Sequence, residues 1–201
     1  MRTFKFIAPA ALALLLSAYR PLPTEKAVSD FKLLATTGRM VSLADYPKAK
    51  GFMVVFTCNH CPFAKVYFNR LNDLSKKYGA LGVPLLAISS SDTVNFEEDG
   101  YGKMKEKTAK EHLTFPYLYD GSQATAVDFG AKKTPHAFVV WKENGKLVVK
   151  YAGAIDDNGA EPEKVVHHYL AEAVDALLAG KAVDVPETKS VGCTLGIRAK
   201  K

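Results

Sequence analysis

The chain has 201 residues, 48% of them hydrophobic and 24% charged, which is enough for one well-buried core and too little for two full-sized domains. Its net charge of +6 comes from basic residues that alternate with acids through most of the sequence, an arrangement that argues against a nucleic-acid-binding face. Residues 1–18 stand apart: Arg2 and Lys5 precede an apolar run from Phe6 to Leu16, and Ser17 and Ala18 follow. That is the layout of a secretory signal peptide, and the run is about half the length that a membrane span requires. The sequence therefore predicts export to the periplasm or beyond, with no stable membrane span, into a compartment where cysteines form or exchange disulfides.

After Pro21 and Pro23, residues 30–34 and 39–43 read as two short extended pieces around Thr37-Gly38, an edge hairpin. Residues 51–57 form a continuous apolar, β-branched run, as expected of a central strand buried on both faces. Cys58-Asn59-His60-Cys61-Pro62 follows directly, and Phe63, Val66, Tyr67, Leu71, Leu74 and Tyr78 then recur at helical spacing up to Gly79. Residues 83–89 predict a second buried strand, parallel to the first through a right-handed crossover. Residues 90–121 are more polar and read as an insertion beside the core, with one helix around residues 103–112. A short helix at 124–129 stops at Gly130, a strand spans 136–141 behind Thr134-Pro135, and Asn144-Gly145 turns the chain into an antiparallel return over 146–151. The last helix is expected over about 163–179, and residues 181–201 form a basic tail carrying the third cysteine, Cys193.

A C-x-x-C pair between a buried strand and an amphipathic helix points to thiol–disulfide exchange. Cys58 is expected at the helix start, where unpaired N–H groups and the helix dipole favour an anion, so it is read as the nucleophile. Cys61 is expected three residues into the helix, less exposed, and able to resolve a mixed disulfide formed at Cys58. His60 lies between them and would lower the Cys58 pKa further. A static disulfide or half of a zinc site are the competing readings, but the sequence offers no second C-x-x-C or C-x-x-H pair to close a four-ligand site. Thr134-Pro135 opens the last hairpin, and a cis proline there would expose the preceding backbone for pairing with an extended substrate peptide.

The order βαβ, insertion, α, ββα, together with the stretches VVFTCNHCPFAKVYFNRL, GVPLLAISSSD, FPYLYD, KTPHAFVVW, YAGAIDDN, AEAVDALLAGKAV and ETKSVGCTLG, resembles the peroxiredoxin-like branch of the thioredoxin superfamily, the redoxin or alkyl hydroperoxide reductase/thiol-specific antioxidant group. The resemblance implies an α/β, thioredoxin-like fold over residues 24–180, with a central mixed β-sheet flanked by helices. It implies active residues at Cys58 and Cys61, with Thr134 and Pro135 as the cis-proline motif; His60, by lowering the Cys58 pKa, predicts a motif more oxidising than that of cytosolic thioredoxin. Peroxiredoxins set their peroxidatic cysteine in a P-x-x-x-[ST]-x-x-C frame. Counting back from Cys58 meets Val55 and Gly51, and from Cys61 meets Cys58 and Val54, so the frame is broken for both. Strand residues 52–56 also lack the buried acid that thioredoxins place before the motif, leaving Asp156, Asp157 or solvent as substitutes for proton transfer.

Cys193 reads as a resolving thiol for Cys58, an intermolecular bridge or an unpaired thiol. His167 and His168 fall on the predicted last helix, where adjacent side chains diverge. His136, with the two cysteines, offers a copper-binding alternative of the chaperone type. The functional expectation is an exported thiol–disulfide oxidoreductase acting on protein thiols and disulfides with an upstream redox donor or acceptor. A thiol-dependent peroxidase and a copper-binding chaperone are the alternatives. No cofactor beyond the redox-active disulfide is expected, no metal and no nucleic acid, and the protein is expected to be a monomer.

Overall fold

In the computed structural model the described residues are 26–198, and the signal-peptide reading of residues 1–18 lies outside them. One sheet of eight strands runs through the molecule: β1 (Ala27–Val28), β2 (Lys32–Ala35), β3 (Met40–Ser42), β4 (Gly51–Phe56), β5 (Leu85–Ser89), β6 (Tyr117–Tyr119), β8 (His136–Glu143) and β9 (Lys146–Gly153). Their order across the sheet is β1-β9-β8-β4-β5-β6-β2-β3. The apolar run after the hairpin becomes β4, buried along its whole length at the centre, parallel to β5 and antiparallel to β8. Asn144 and Gly145 both have positive φ, 49° and 74°, which is the conformation a two-residue hairpin turn between β8 and β9 needs.

The pleat of β4 divides the core in two. Met53 and Val55 join Leu71, Leu85 and Val139 on the face covered by α2 (Phe68–Gly79) and α5 (Tyr169–Leu178). Phe52, Val54 and Phe56 join Phe129 and Phe138 on the other face, where α4 (Ala124–Phe129) packs. There the rings of Phe56, Phe129 and Phe138 meet edge to face at 5.4–5.7 Å, a favoured aromatic geometry. This is the α/β, thioredoxin-like architecture, with a mixed central sheet flanked by helices.

Several elements differ from expectation. Residues 90–121 hold α3 (Tyr101–Lys110), but Tyr117–Tyr119 is a sheet strand, paired parallel to β5 and antiparallel to β2, so the stretch completes the sheet instead of lying beside it. The helix after the cysteines begins at Pro62 as α1 (Pro62–Lys65) and breaks before α2. The last helix starts only at Tyr169; Pro162–Lys164 is a single 3-10 turn, and His167 and His168 precede α5. The basic C-terminal tail is docked: Thr188 Oγ1 accepts a hydrogen bond from Ala154 N–H, and β10 (Cys193–Thr194) pairs antiparallel with β7 (Lys133–Thr134). Among the described residues no helix is long and apolar enough to cross a membrane.

Candidate redox site

Between the end of β4 at Phe56 and the start of α1 at Pro62 the chain makes a short loop carrying both cysteines. Proline suits the first helical position, because its missing N–H would be unpaired there and its φ is already helical. The helix therefore opens after Cys61, which is extended (φ −68°, ψ 121°) and whose carbonyl accepts the N–H groups of Ala64 and Lys65 at 3.0 Å. Cys61, not Cys58, heads the helix, and the expected placement of the pair is corrected by one helical turn.

The loop is held down by Asp99, a fully buried carboxylate that the sequence reading missed. It accepts hydrogen bonds from Asn59 N–H at 2.6 Å and His60 N–H at 3.1 Å, and His60 Nδ1 faces it at 2.5 Å. The His60 ring stacks on Phe96 with centroids 3.9 Å apart. Asn59 donates to Glu98 O and accepts from Tyr117 OH. In sequence Asp99 ends the acidic run Glu97-Glu98-Asp99, which has the pattern of a solvated turn and gives no sign of burial.

Both sulfurs are 0% exposed, and their ionisation is set differently. Burial pushes the Cys58 thiol up to about 12; the Thr134 hydroxyl works against this, and the Asp99 charge reinforces it. The raised Cys58 thiol runs against the low pKa expected from the sequence, and the ring of His60, the expected tuner, faces Asp99. Burial also opposes ionisation of Cys61, but hydrogen bonds from the Cys193 thiol, the Cys193 N–H and the Ala64 N–H outweigh it, so the Cys61 pKa lies below the ordinary thiol value. Cys193, half-buried, is raised to about 11, by burial first and then by the bond that it gives to Cys61.

Thr134 joins the three cysteines. The Cys58 thiol donates to Thr134 Oγ1 at 3.3 Å, and the Cys61 thiol donates to Thr134 O at 3.1 Å. Cys193 is the strand partner of Thr134, and the Thr134–Pro135 peptide bond is cis. Beside Pro135 and Pro62 opens a groove of about 420 Å³ whose rim includes the exposed Phe63, Val66 and Val191.

The remaining candidates lie apart from the sulfurs or are otherwise engaged. His136 Nδ1 accepts the Lys132 N–H, and burial holds that imidazole down at about 4. Asp156 is bound by Tyr67 OH at 2.7 Å and Arg70 Nη1 at 2.5 Å, and Asp157 accepts the Val166 N–H. Arg70 also holds the carbonyls of Asn158 and Gly159. Among the described residues one group could hold a metal: Cys58, His60 and Asp99 bring ligand atoms within 4.8 Å of one another. Asp99 is already engaged there by Asn59 N–H, His60 N–H and His60 Nδ1 of the cysteine loop, and His136 is not in the group.

The sequence model of the AhpC/TSA family matches residues 24–155. The chain belongs to the AhpC/TSA family. It is thus a thioredoxin-superfamily protein of the redoxin branch, and its relatives agree in fold. An uncharacterized conserved protein from Geobacillus kaustophilus is 31% identical, with 89% of this chain and 94% of that one covered and a TM-score of 0.80. A hypothetical protein from Sinorhizobium meliloti is 28% identical over 90% and 98% of the two chains, also at 0.80. A provisionally assigned thiol:disulfide interchange protein DsbE from Chlorobium tepidum is 25% identical over 63% and 82%, at 0.51. No curated protein matches. Within the family frame Cys58 stands three residues before Cys61, where peroxiredoxins carry their hydroxyl, and it makes its bond to Thr134 from that position.

Proposed function

We propose that the protein is an exported thiol–disulfide oxidoreductase whose attacking sulfur is Cys61 and whose partners are protein disulfides and an upstream dithiol donor. The supporting observation is the setting of Cys61: it heads a helix whose first N–H groups, of Ala64 and Lys65, bond its carbonyl, it has Cys58 and Cys193 packed around it, and its thiol is held below the ordinary value. A thiolate is the nucleophile of exchange, and one held below the ordinary thiol value is present in larger amount at neutral pH. Cys58 is the reserve sulfur of the motif, kept protonated by its burial. Thr134 and Pro135 supply the backbone edge on which a client would lie. The apolar groove beside them suits client side chains next to the disulfide. The DsbE-like relative is in keeping with this chemistry, and the signal-like N-terminal segment with the oxidising setting it needs. The peroxidase alternative is not favoured, because the P-x-x-x-[ST]-x-x-C frame is broken before both Cys58 and Cys61. The copper alternative is not favoured either, because the ring of His136 is turned to Lys132.

Insulin disulfide reduction, followed as turbidity with dithiothreitol as donor, tests the assignment. The wild-type protein accelerates precipitation, Cys61→Ser abolishes the acceleration, and Cys58→Ser keeps a measurable part of it. Wild-type rates from Cys61→Ser would overturn the reading.

A further inference from the structure

The strand edge of β7 is occupied by the chain itself. Cys193 lies opposite Thr134 and Thr194 opposite Lys133 in antiparallel register, and Leu195 N–H donates to Lys132 O at 2.9 Å. Leu195 is 7% exposed and joins the buried cluster that holds Phe129 and Ala131. Beyond it, the buried Gln123 donates to Gly196 O and accepts from Arg198 N–H, each at 2.8 Å. Before the cysteine, Gly192 passes so close to the cis-proline loop that a Cβ on it would come within 2.1 Å of Thr134 O, and its φ of +155° disfavours a side chain as well. An extended segment lies along β7 with its cysteine on Cys61, which is the placement an exchanging client requires.

This contact is built to be exchanged. The ladder is two residue pairs long, and a competing backbone supplies the same bonds. We propose that residues 192–195, Gly-Cys-Thr-Leu, are an internal stand-in for the client, and that an extended client segment with a disulfide-bonded cysteine takes the β7 edge by displacing them. The proposal rests on the exchange reading above and gives the class of client: a strand-forming segment with a small residue before its cysteine and an apolar residue two positions after it.

The exchange then balances within the cluster. The Cys61 thiolate attacks the client disulfide, forming a Cys61–client S–S bond and releasing the other client sulfur as a thiolate. When the tail returns, Cys193, deprotonated, attacks the Cys61 sulfur, forming Cys61–Cys193 and releasing the second client sulfur. Two electrons pass from the protein thiols to the client, and the two protons end on the client thiols. The Cys61–Cys193 disulfide holds the edge closed until a dithiol donor reduces it.

Single-turnover kinetics of the reduced full-length protein with two probes test this. One is oxidised glutathione, too small to need the strand edge; the other is a disulfide-linked ten-residue peptide containing Gly-Cys-Thr-Leu. Leu195→Ala removes the buried anchor and Gly192→Ala forces the strand away from Thr134. Both variants are expected to reduce the peptide about tenfold faster than wild type, the equivalent of about 1.4 kcal/mol, while glutathione, which needs Cys61 uncovered but gains no pairing from the vacated edge, is accelerated far less. Peptide rates that are unchanged or lower, or that rise in step with those for glutathione, would overturn the stand-in while leaving exchange intact. Failure of wild type and variants to react with either probe would instead remove the exchange reading beneath it.

Discussion

Cys61 and Cys58 have the same side chain, the same motif and the same zero exposure, yet their thiols are driven in opposite directions. The difference is donor supply. At Cys61 the influence of the Cys193 thiol and N–H and of the Ala64 N–H outweighs burial, whereas at Cys58 the Thr134 hydroxyl and the Cys61 N–H do not overcome burial and the charge of Asp99. Asp99 in turn spends its oxygens on the loop, so its removal has two consequences. Asp99→Ala leaves two N–H groups without their acceptor, one of them on the buried Asn59, which costs about 1–3 kcal/mol for each buried group left unsatisfied. It also withdraws a negative charge from Cys58, whose pKa then falls from about 12. Urea unfolding checks the first effect and a Cys58 titration the second; an unchanged midpoint in both would remove the clamp. The cysteine pair and Thr134-Pro135 were legible in the sequence because spacing announces them. Which sulfur has the lowered pKa was not legible, because it depends on where Pro62 starts the helix and on Cys193, which is 132 residues further along the chain.

At the scale of elements, the strands that carry unbroken apolar runs or a strong turn are close to where the pattern puts them: β4, β5 and the β8–β9 hairpin. β6 escaped notice because three residues, Tyr117-Leu118-Tyr119, are too few to show alternation and follow a polar helix. Its place in the sheet makes it structural: Leu118 is fully buried, with β5 on one side and β2 on the other. Leu118→Ala is expected to cost about 2–5 kcal/mol, read as a lower urea midpoint at unchanged m-value. A loss below about 0.5 kcal/mol, the level of an ordinary surface change, would mean that residues 117–119 are peripheral after all. The early start predicted for the last helix has a different cause. Residues 163–168 read on from α5 by sequence pattern, but the chain there is pinned by Asp157, whose carboxylate takes the Val166 N–H and whose N–H takes His167 O.

The molecule as a whole is a sheet whose centre presents the redox loop and whose C-terminal segment crosses back over it. Long-range return of this kind is invisible to local pattern: nothing in residues 186–198 signals that Thr188 binds next to Tyr151 or that Cys193 reaches Thr134. It nevertheless determines the chemistry, since the donors that favour the Cys61 anion come partly from that segment. Titration of the reduced protein by the ¹³Cβ shifts of its three cysteines tests the central claim directly. The account predicts that Cys61 ionises first, below the ordinary thiol value, with Cys193 near 11 and Cys58 near 12, and that Cys193→Ser moves the Cys61 midpoint upward. Ionisation of Cys58 before Cys61, or a Cys61 midpoint indifferent to Cys193, would contradict it.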